Sequence, residues 1–200
     1  MTTISPRERR QQKTRAAILD AARQIVAEQG SAQLSMRGLA ERIDYSPSGI
    51  YEYFDSKEAI LAALNREGHA RLTAFIQAVD DQLPPYEYLV QIGLAYIHFA
   101  FANPDLFRIM FSDTPQVIGE ADLLEEGSSF PILLRAIQRG LDAGDFKPAP
   151  GLGLYEMAYS AWGLVHGIAM LRLYQRNFPP NFDQVEREIV ATAARGLMHG

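Results

Sequence analysis

The chain has 200 residues, enough for one well-filled core or two small domains, and its 48% hydrophobic content is ordinary for a folded protein. It contains no Cys, which excludes disulfides and thiolate chemistry and agrees with a reducing compartment. The formal charge of −5 argues against a nucleic-acid binder only until it is divided: residues 1–57 carry nine Lys and Arg against seven Asp and Glu, net +2, whereas residues 58–200 carry ten against seventeen, net −7.

In chain order, Arg7, Arg9, Arg10, Lys13 and Arg15 come first and face only Glu8, a basic arm expected to be flexible. This polar opening has no apolar signal-type core. The most apolar later stretch, LYEMAYSAWGLVHGIAMLRLY, is broken by Glu156, His166, two Gly and Arg172. Neither export nor a membrane span is expected, and the cytoplasm is the expected compartment.

Ile18, Ala21, Ala22, Ile25 and Val26 recur at helical spacing with Gly30 as a stop, predicting a first helix from about Thr14 to Gln29. Ser35 caps a second, Met36 to Ile43, which buries Leu39, Ala40 and Ile43 and leaves Arg37 and Glu41 outside. Asp44-Tyr45 interrupts it. Ser46 then reads as an N-cap with Pro47 at the first helical position, opening a short third helix that ends near Phe54.

Ser56 starts a long helix carrying Ile60, Leu61, Leu64, Leu72 and Phe75 to about Asp80, before Leu83-Pro84-Pro85. Further helices are expected at about 86–102, 104–112, 128–143, 151–176 and 182–198, divided by Asn103-Pro104, Gly127, the stretch Gly144 to Gly151 and Pro179-Pro180. No strand-like alternation appears, so the expected fold is all-α.

Two short helices joined by a tight turn at residues 36–54 form a helix-turn-helix, whose second helix sets its N-terminal residues against base edges in the major groove. Ser46 and Ser48 offer hydroxyls at a positive helix terminus, which suits a phosphate, and Gly49 removes a side chain where the groove wall is nearest. Tyr51, Tyr53 and Lys57 point phenol and ammonium groups toward the flanking backbone, while Ile50 and Phe54 anchor the helix inward. By shape alone, an αα-hairpin with a polar tip fits as well.

Residues 14–61 resemble the DNA-binding domain of the TetR family of bacterial transcriptional regulators, through Thr14, Ile18, Ala22, Gly30, Ser35, Met36, Leu39, Ala40, Ile43, Ser46, Ile50, Tyr51, Tyr53, Phe54, Lys57, Glu58 and Leu61. The resemblance implies that Ser35 and Arg37 approach DNA from the second helix, that Pro47, Ser48 and Gly49 face bases, and that Tyr51, Tyr53 and Lys57 hold phosphates. Two positions depart from the family pattern: Asp44 stands for the usual turn Gly, which Asp tolerates because it enters the left-handed region, and Tyr45 replaces a small aliphatic. Operator specificity then leans on Arg37, Tyr45 and DNA shape.

The expected division is a DNA-binding domain at 1–57 and an effector-binding and dimerisation domain at 58–200. Most aromatics of the second part are expected in the core. A subset can line an effector cavity: Tyr96, Phe99, Phe107, Met110 and Phe111 from adjacent helices, with Tyr159, Trp162, His166 and Met170 along one face of a later helix. Such lining implies a hydrophobic or aromatic small molecule. SAWGLVHGIAML, residues 160–171, resembles the Trp-His-Gly signature of one carboxyl-terminal domain type found with this amino-terminal domain.

His166 and His98 each read either as satisfied core residues or as ligand contacts. No metal-ligand spacing and no cofactor motif is present, so neither metal nor cofactor is expected. Gly163 and Gly167 allow a close helix approach, within the subunit or from a second copy. Apolar residues on more than one face of the last two helices point to burial against a second copy, and the resemblance implies a four-helix homodimer interface there.

The expected function is thus a homodimeric, ligand-responsive DNA-binding regulator, by resemblance a repressor on a palindromic operator, with the helix from Ser56 as lever. Two alternatives remain open from the residues. One is a small helical enzyme using His98 or His166 as general base, which leaves the basic arm and SPSGIYEYF unexplained; the other is an effector-independent architectural DNA-binding protein.

Overall fold

The computed structural model describes residues 5–111, 128–148, 150–174 and 182–198, and the regular structure among them is helical. The all-α expectation holds. The helices are α1 (Pro6–Gln29), α2 (Met36–Arg42), α3 (Pro47–Tyr51), α4 (Lys57–Gln77), α5 (Pro85–Ala102), α6 (Pro104–Phe111), α7 (Phe130–Asp142), α8 (Leu154–Tyr174) and α9 (Phe182–Met198), with a 3-10 turn at Ser31–Gln33. The expected Gly127 boundary lies outside the described residues, as do Pro179 and Pro180.

Helix α1 corrects the sequence reading at its start. It begins at Pro6 rather than Thr14, so the basic arm is helical and not a flexible lead. The reason is a capping box: the Ser5 hydroxyl accepts the Glu8 N–H at 3.2 Å, and the Glu8 carboxylate accepts the Ser5 N–H at 2.7 Å. Pro6 fills the first helical position, where no N–H is needed.

Two compact units emerge. The first holds the chain through Gly68 together with the segment from Asp105 in α6. Its centre is Ile18, Ala22, Leu39, Ala40, Ile50, Ile60 and Leu64, all fully buried, joined by Ile109 from α6. Burying each of the larger side chains stabilises the unit by about 1.5–3 kcal/mol. Helix α1 stops at Gly30, whose φ of 87° suits glycine and whose N–H reaches Val26 O at 2.8 Å. Arg42 grips Glu28 with two bonds of 2.6 and 2.9 Å, tying α2 to α1, and this bond holds the Glu28 carboxyl below its ordinary range.

Helix α6 is bound to the first part of α4 within this unit. The Asn65 amide donates to Met110 O at 3.4 Å, and a β-carbon on Gly68 would stand 2.5 Å from the Met110 sulfur. At Gly68 α6 comes close enough that any side chain there meets the buried Met110.

The second unit holds the rest of α4 from His69, α5, α7, α8 and α9. Its central helix is α5, which packs against α7, α8 and α9. Leu89, Val90, Ile92, Leu94, Tyr96, Ile97, Phe99 and Ala100 are buried almost all round its circumference, as a helix enclosed on every side requires. Arg139 of α7 donates to the carbonyls of Asp81 and Leu83 and lies 4.8 Å over the Tyr88 ring, fastening the turn between α4 and α5. No described helix is long and apolar enough to cross a membrane.

Candidate nucleic-acid interface and aromatic site

The candidate reading head is assembled by caps. The Ser35 hydroxyl accepts the Gly38 N–H at 3.1 Å and starts α2. Asp44 then takes φ 54°, the left-handed conformation foreseen for it, and Tyr45 N–H bonds Ala40 O at 2.9 Å to close the turn. Ser46 caps α3 by accepting the Gly49 N–H at 3.1 Å, and its oxygen also lies 3.1 Å from that of Ser48. One lone pair of Ser46 is thus committed to the fold.

Ile50, fully buried, and Phe54 anchor α3 from beneath. Their counterparts Ser46, Pro47 and Ser48 are exposed, as are Tyr45 (43%) and Tyr51 (53%). Arg37 is exposed and pairs with Glu41 at 3.0 Å, a surface pair that costs about 0–1 kcal/mol to open. Tyr53 packs partly against the core, and Lys57 is half-buried at the start of α4. One relationship was not foreseen: the Tyr45 ring lies over Gly49, so the missing side chain at 49 makes room for a residue of the same chain.

The second unit holds an aromatic site. Trp162 Nε1–H donates to Tyr96 Oη at 3.2 Å, and that oxygen lies 2.8 Å from His166 Nδ1. An indole N–H only donates, so the Tyr96 oxygen accepts it. The phenol oxygen keeps a second lone pair and its own proton, so the bond to Nδ1 runs in the direction set by the His166 tautomer. Burial raises the Tyr96 phenol far above its ordinary range, against a smaller lowering by the Trp162 bond, and burial lowers His166. Phe130, Tyr155 and Tyr159 extend the cluster, with ring centres 5.6 Å apart for Phe130–Tyr155 and for Tyr159–Trp162.

The profile described as "Tetracyclin repressor-like, C-terminal domain" matches residues 89–200, more than half of the chain, and that of "Bacterial regulatory proteins, tetR family" matches residues 18–64. The chain belongs to the tetR family. A curated relative, the HTH-type transcriptional regulator UidR of Escherichia coli K12, is 32% identical over 92 residues, 46% of this chain and 47% of its own. The chain spans about half the length of the curated relatives it matches. Among solved structures, a bacterial regulatory protein in the tetR family from Rhodococcus RHA1 is 25% identical with a TM-score of 0.71, over 92% of this chain and 97% of that one. A protein of unknown function from Rhodococcus sp. RHA1 is 26% identical with a TM-score of 0.75, over 92% and 95%.

Within this tetR-family chain the anticipated effector residues fall in different places. Tyr96, Trp162 and His166 meet in the relay, with Tyr159 beside them and Met170 half-buried farther along α8. Phe99 is fully buried and meets Phe75 edge-on at 5.8 Å. Phe107, Met110 and Phe111 belong to the first unit, where Phe107 and Phe111 lie 4.8 Å apart and Met110 covers Gly68. His98 is exposed, which removes the core reading for it. Positions one and two residues apart on a helix do not share a face, so His98 points away from its buried neighbours Ile97 and Phe99 into solvent.

The search by sequence also missed a cleft of about 520 Å³ in the second unit, lined by Gln77, Val79, Asp80, Asp81, Tyr88, Ile132, Arg135, Ala136 and Arg139. Gly163 and Gly167 have no described heavy atom within 4 Å of where a β-carbon would stand, so packing among the described residues does not account for the pair.

Proposed function

We propose that this protein is a homodimeric transcriptional regulator that binds palindromic operator DNA and is released by a small apolar effector. The observation that carries the reading is the two-sidedness of α3: Ile50 and Phe54 are sealed inside while Ser46, Pro47, Ser48 and Tyr51 face outward at the head of a capped helix. In this reading Pro47, Ser48 and Gly49 approach bases with Ser35, Arg37 and Tyr45 alongside, and Ser46, Tyr51, Tyr53 and Lys57 hold phosphates. Residues 1–57 read DNA and residues 58–200 sense and pair.

Pairing is supported by apolar side chains left outside on the last two helices: Tyr159, Leu171 (58% exposed), Tyr174 (62%) and Ile189. A five-residue recognition helix buries little surface by itself, and two copies on half-sites about 34 Å apart double the contacts. The effector reading rests on the half-buried Trp162 and His166, which set one polar edge in aromatic surroundings. An effector acts by preferring the dimer state whose heads are misplaced, and near-complete release needs about a 10⁴-fold preference.

The test starts from duplexes selected from random DNA by the full-length protein. Tyr51→Ala with Lys57→Ala is expected to abolish the footprint, and Leu171→Glu with Tyr174→Glu to yield monomers in sedimentation. A footprint that survives the first pair overturns the assignment of α3.

A further inference from the structure

The first three turns of α1 bury nothing. Its buried residues begin at Ile18, and every residue from Pro6 to Ala17 except the half-buried Thr14 is exposed. The tetR-family profile match also begins at Ile18, beyond these turns. At 1.5 Å per residue they span roughly 18 Å, and a helix of this length without a packed face is marginal in water. It is nevertheless closed by the capping box at Ser5 and Glu8.

The charge on these turns is one-sided. Arg7, Arg9, Arg10 and Lys13 are exposed, and no ion pair to them is present among the described residues. Glu8, the lone acid, is turned back onto the Ser5 N–H, and hydrogen bonding with Ser5, the backbone N–H foremost, holds its carboxyl below the ordinary range. At the base, the Arg15 guanidinium lies 4.4 Å over the ring of Phe54, whose N–H bonds Ile50 O in α3. The turns thus spring from the candidate reading head itself.

Their register is informative. Arg7, Gln11 and Thr14 precede Ile18 at i−11, i−7 and i−4, so they continue the stripe that Ile18, Ala22 and Ile25 press into the core. Past the last buried residue, that stripe changes from apolar to guanidinium, amide and hydroxyl. A partner covering it must supply anionic acceptors rather than apolar surface.

We infer that residues 6–17 form a rigid cationic strut that lies along the DNA phosphate backbone beside the segment read by α3, held straight by the Ser5–Glu8 capping box. The inference rests on the DNA-binding reading of α3 above. Sequence information is not read by the strut; its contacts are to phosphates and raise affinity for any duplex.

The experiment compares full-length Glu8→Ala and Glu8→Gln by fluorescence anisotropy on a selected duplex and on an unrelated duplex of equal length. Both variants remove one negative charge. Gln preserves the reciprocal cap and Ala does not. Charge counting alone makes the two bind alike and tighter than wild type. The strut makes Glu8→Gln bind at least as tightly as wild type and Glu8→Ala measurably more weakly than Glu8→Gln, because only Ala loses the reciprocal bond to the Ser5 N–H. The double variant Arg7→Gln, Arg10→Gln should lower the slope of log affinity against log salt by about 1.8 on both duplexes.

Equal binding by the two Glu8 variants, or an unchanged slope for the arginine pair, overturns the strut. A changed sedimentation behaviour with an unchanged slope assigns the cations to the acidic remainder of a second copy and overturns it too. If wild type binds neither duplex with salt dependence, the reading of α3 has failed; if Tyr51→Ala weakens binding while the arginine pair does not, the strut alone has failed.

Discussion

The ring of Tyr45 lies so close over Gly49 that a β-carbon added there would stand 2.8 Å from two of its carbons. The two residues are therefore one unit of the candidate recognition surface. Gly49→Ala must push the ring aside. Because Tyr45 is 43% exposed, the ring has somewhere to go, and the destabilisation should fall at or below the low end of the 1–3 kcal/mol typical of overpacking. The effect on DNA should be larger: selected sequences change with Gly49→Ala, and Tyr45→Ala changes them in a non-additive way. A double-mutant cycle on affinity checks this, with additivity counting against it.

Removing the shared oxygen of the relay should be costly. Tyr96→Phe takes the acceptor from Trp162 Nε1 and the phenol from His166 Nδ1 in a buried setting, an expected loss of about 1–3 kcal/mol in urea denaturation. Nitrogen NMR of His166 should show a single tautomer in the wild type and a mixture of tautomers in the variant.

His166 also predicts a direction with pH. Burial lowers its folded pKa below the ordinary 6.5, so the unfolded chain takes up the proton first as pH falls. Its contribution to stability is complete above about pH 6.5 and declines as pH drops from there toward the folded pKa. His166→Gln should flatten this part of the stability profile, and a wild-type profile that rises on acidification through this range would contradict the assignment.

Arg172 holds α8 to α9 through Glu186, at 2.6 Å, while lying 4.1 Å over Phe101 of α5. Glu186 is only 1% exposed, and its second carboxylate oxygen is buried with no hydrogen-bond partner among the described residues. Arg172→Met alone should destabilise by about 3–5 kcal/mol because it strands the carboxylate, whereas Arg172→Met with Glu186→Leu should cost little or nothing. Thermal unfolding of the three proteins decides, and equal losses in the single and double variants would refute it.

Local chemistry made much of the head legible. Ser35, Asp44 and Ser46-Pro47 each act through neighbours within a few residues, so their caps and the left-handed turn could be read without a structure. The start of α1 was equally local, since Ser5 and Glu8 spell the box, but the density of charge drew the reading toward a flexible arm. The aromatic site was less legible. Phe99 and Phe107 sit eight residues apart yet fall in different units, because a chain turn at Asn103-Pro104 separates them and no periodicity crosses it. The cleft beside Arg139 gathers residues from α4, α5 and α7, and nothing in any one helix announces it.

The placement of α6 has a consequence for how such regulators can be recombined. Ile109 and Met110 fill the interior of the first unit although some forty residues of chain intervene between Gly68 and them. A fragment ending at Gly68 would leave a hole where they sit and should lose stability or fold only as a loosened ensemble. Grafting this head onto a foreign sensor by one splice therefore transplants an incomplete part, and a working chimera needs the α6 stretch carried across with it.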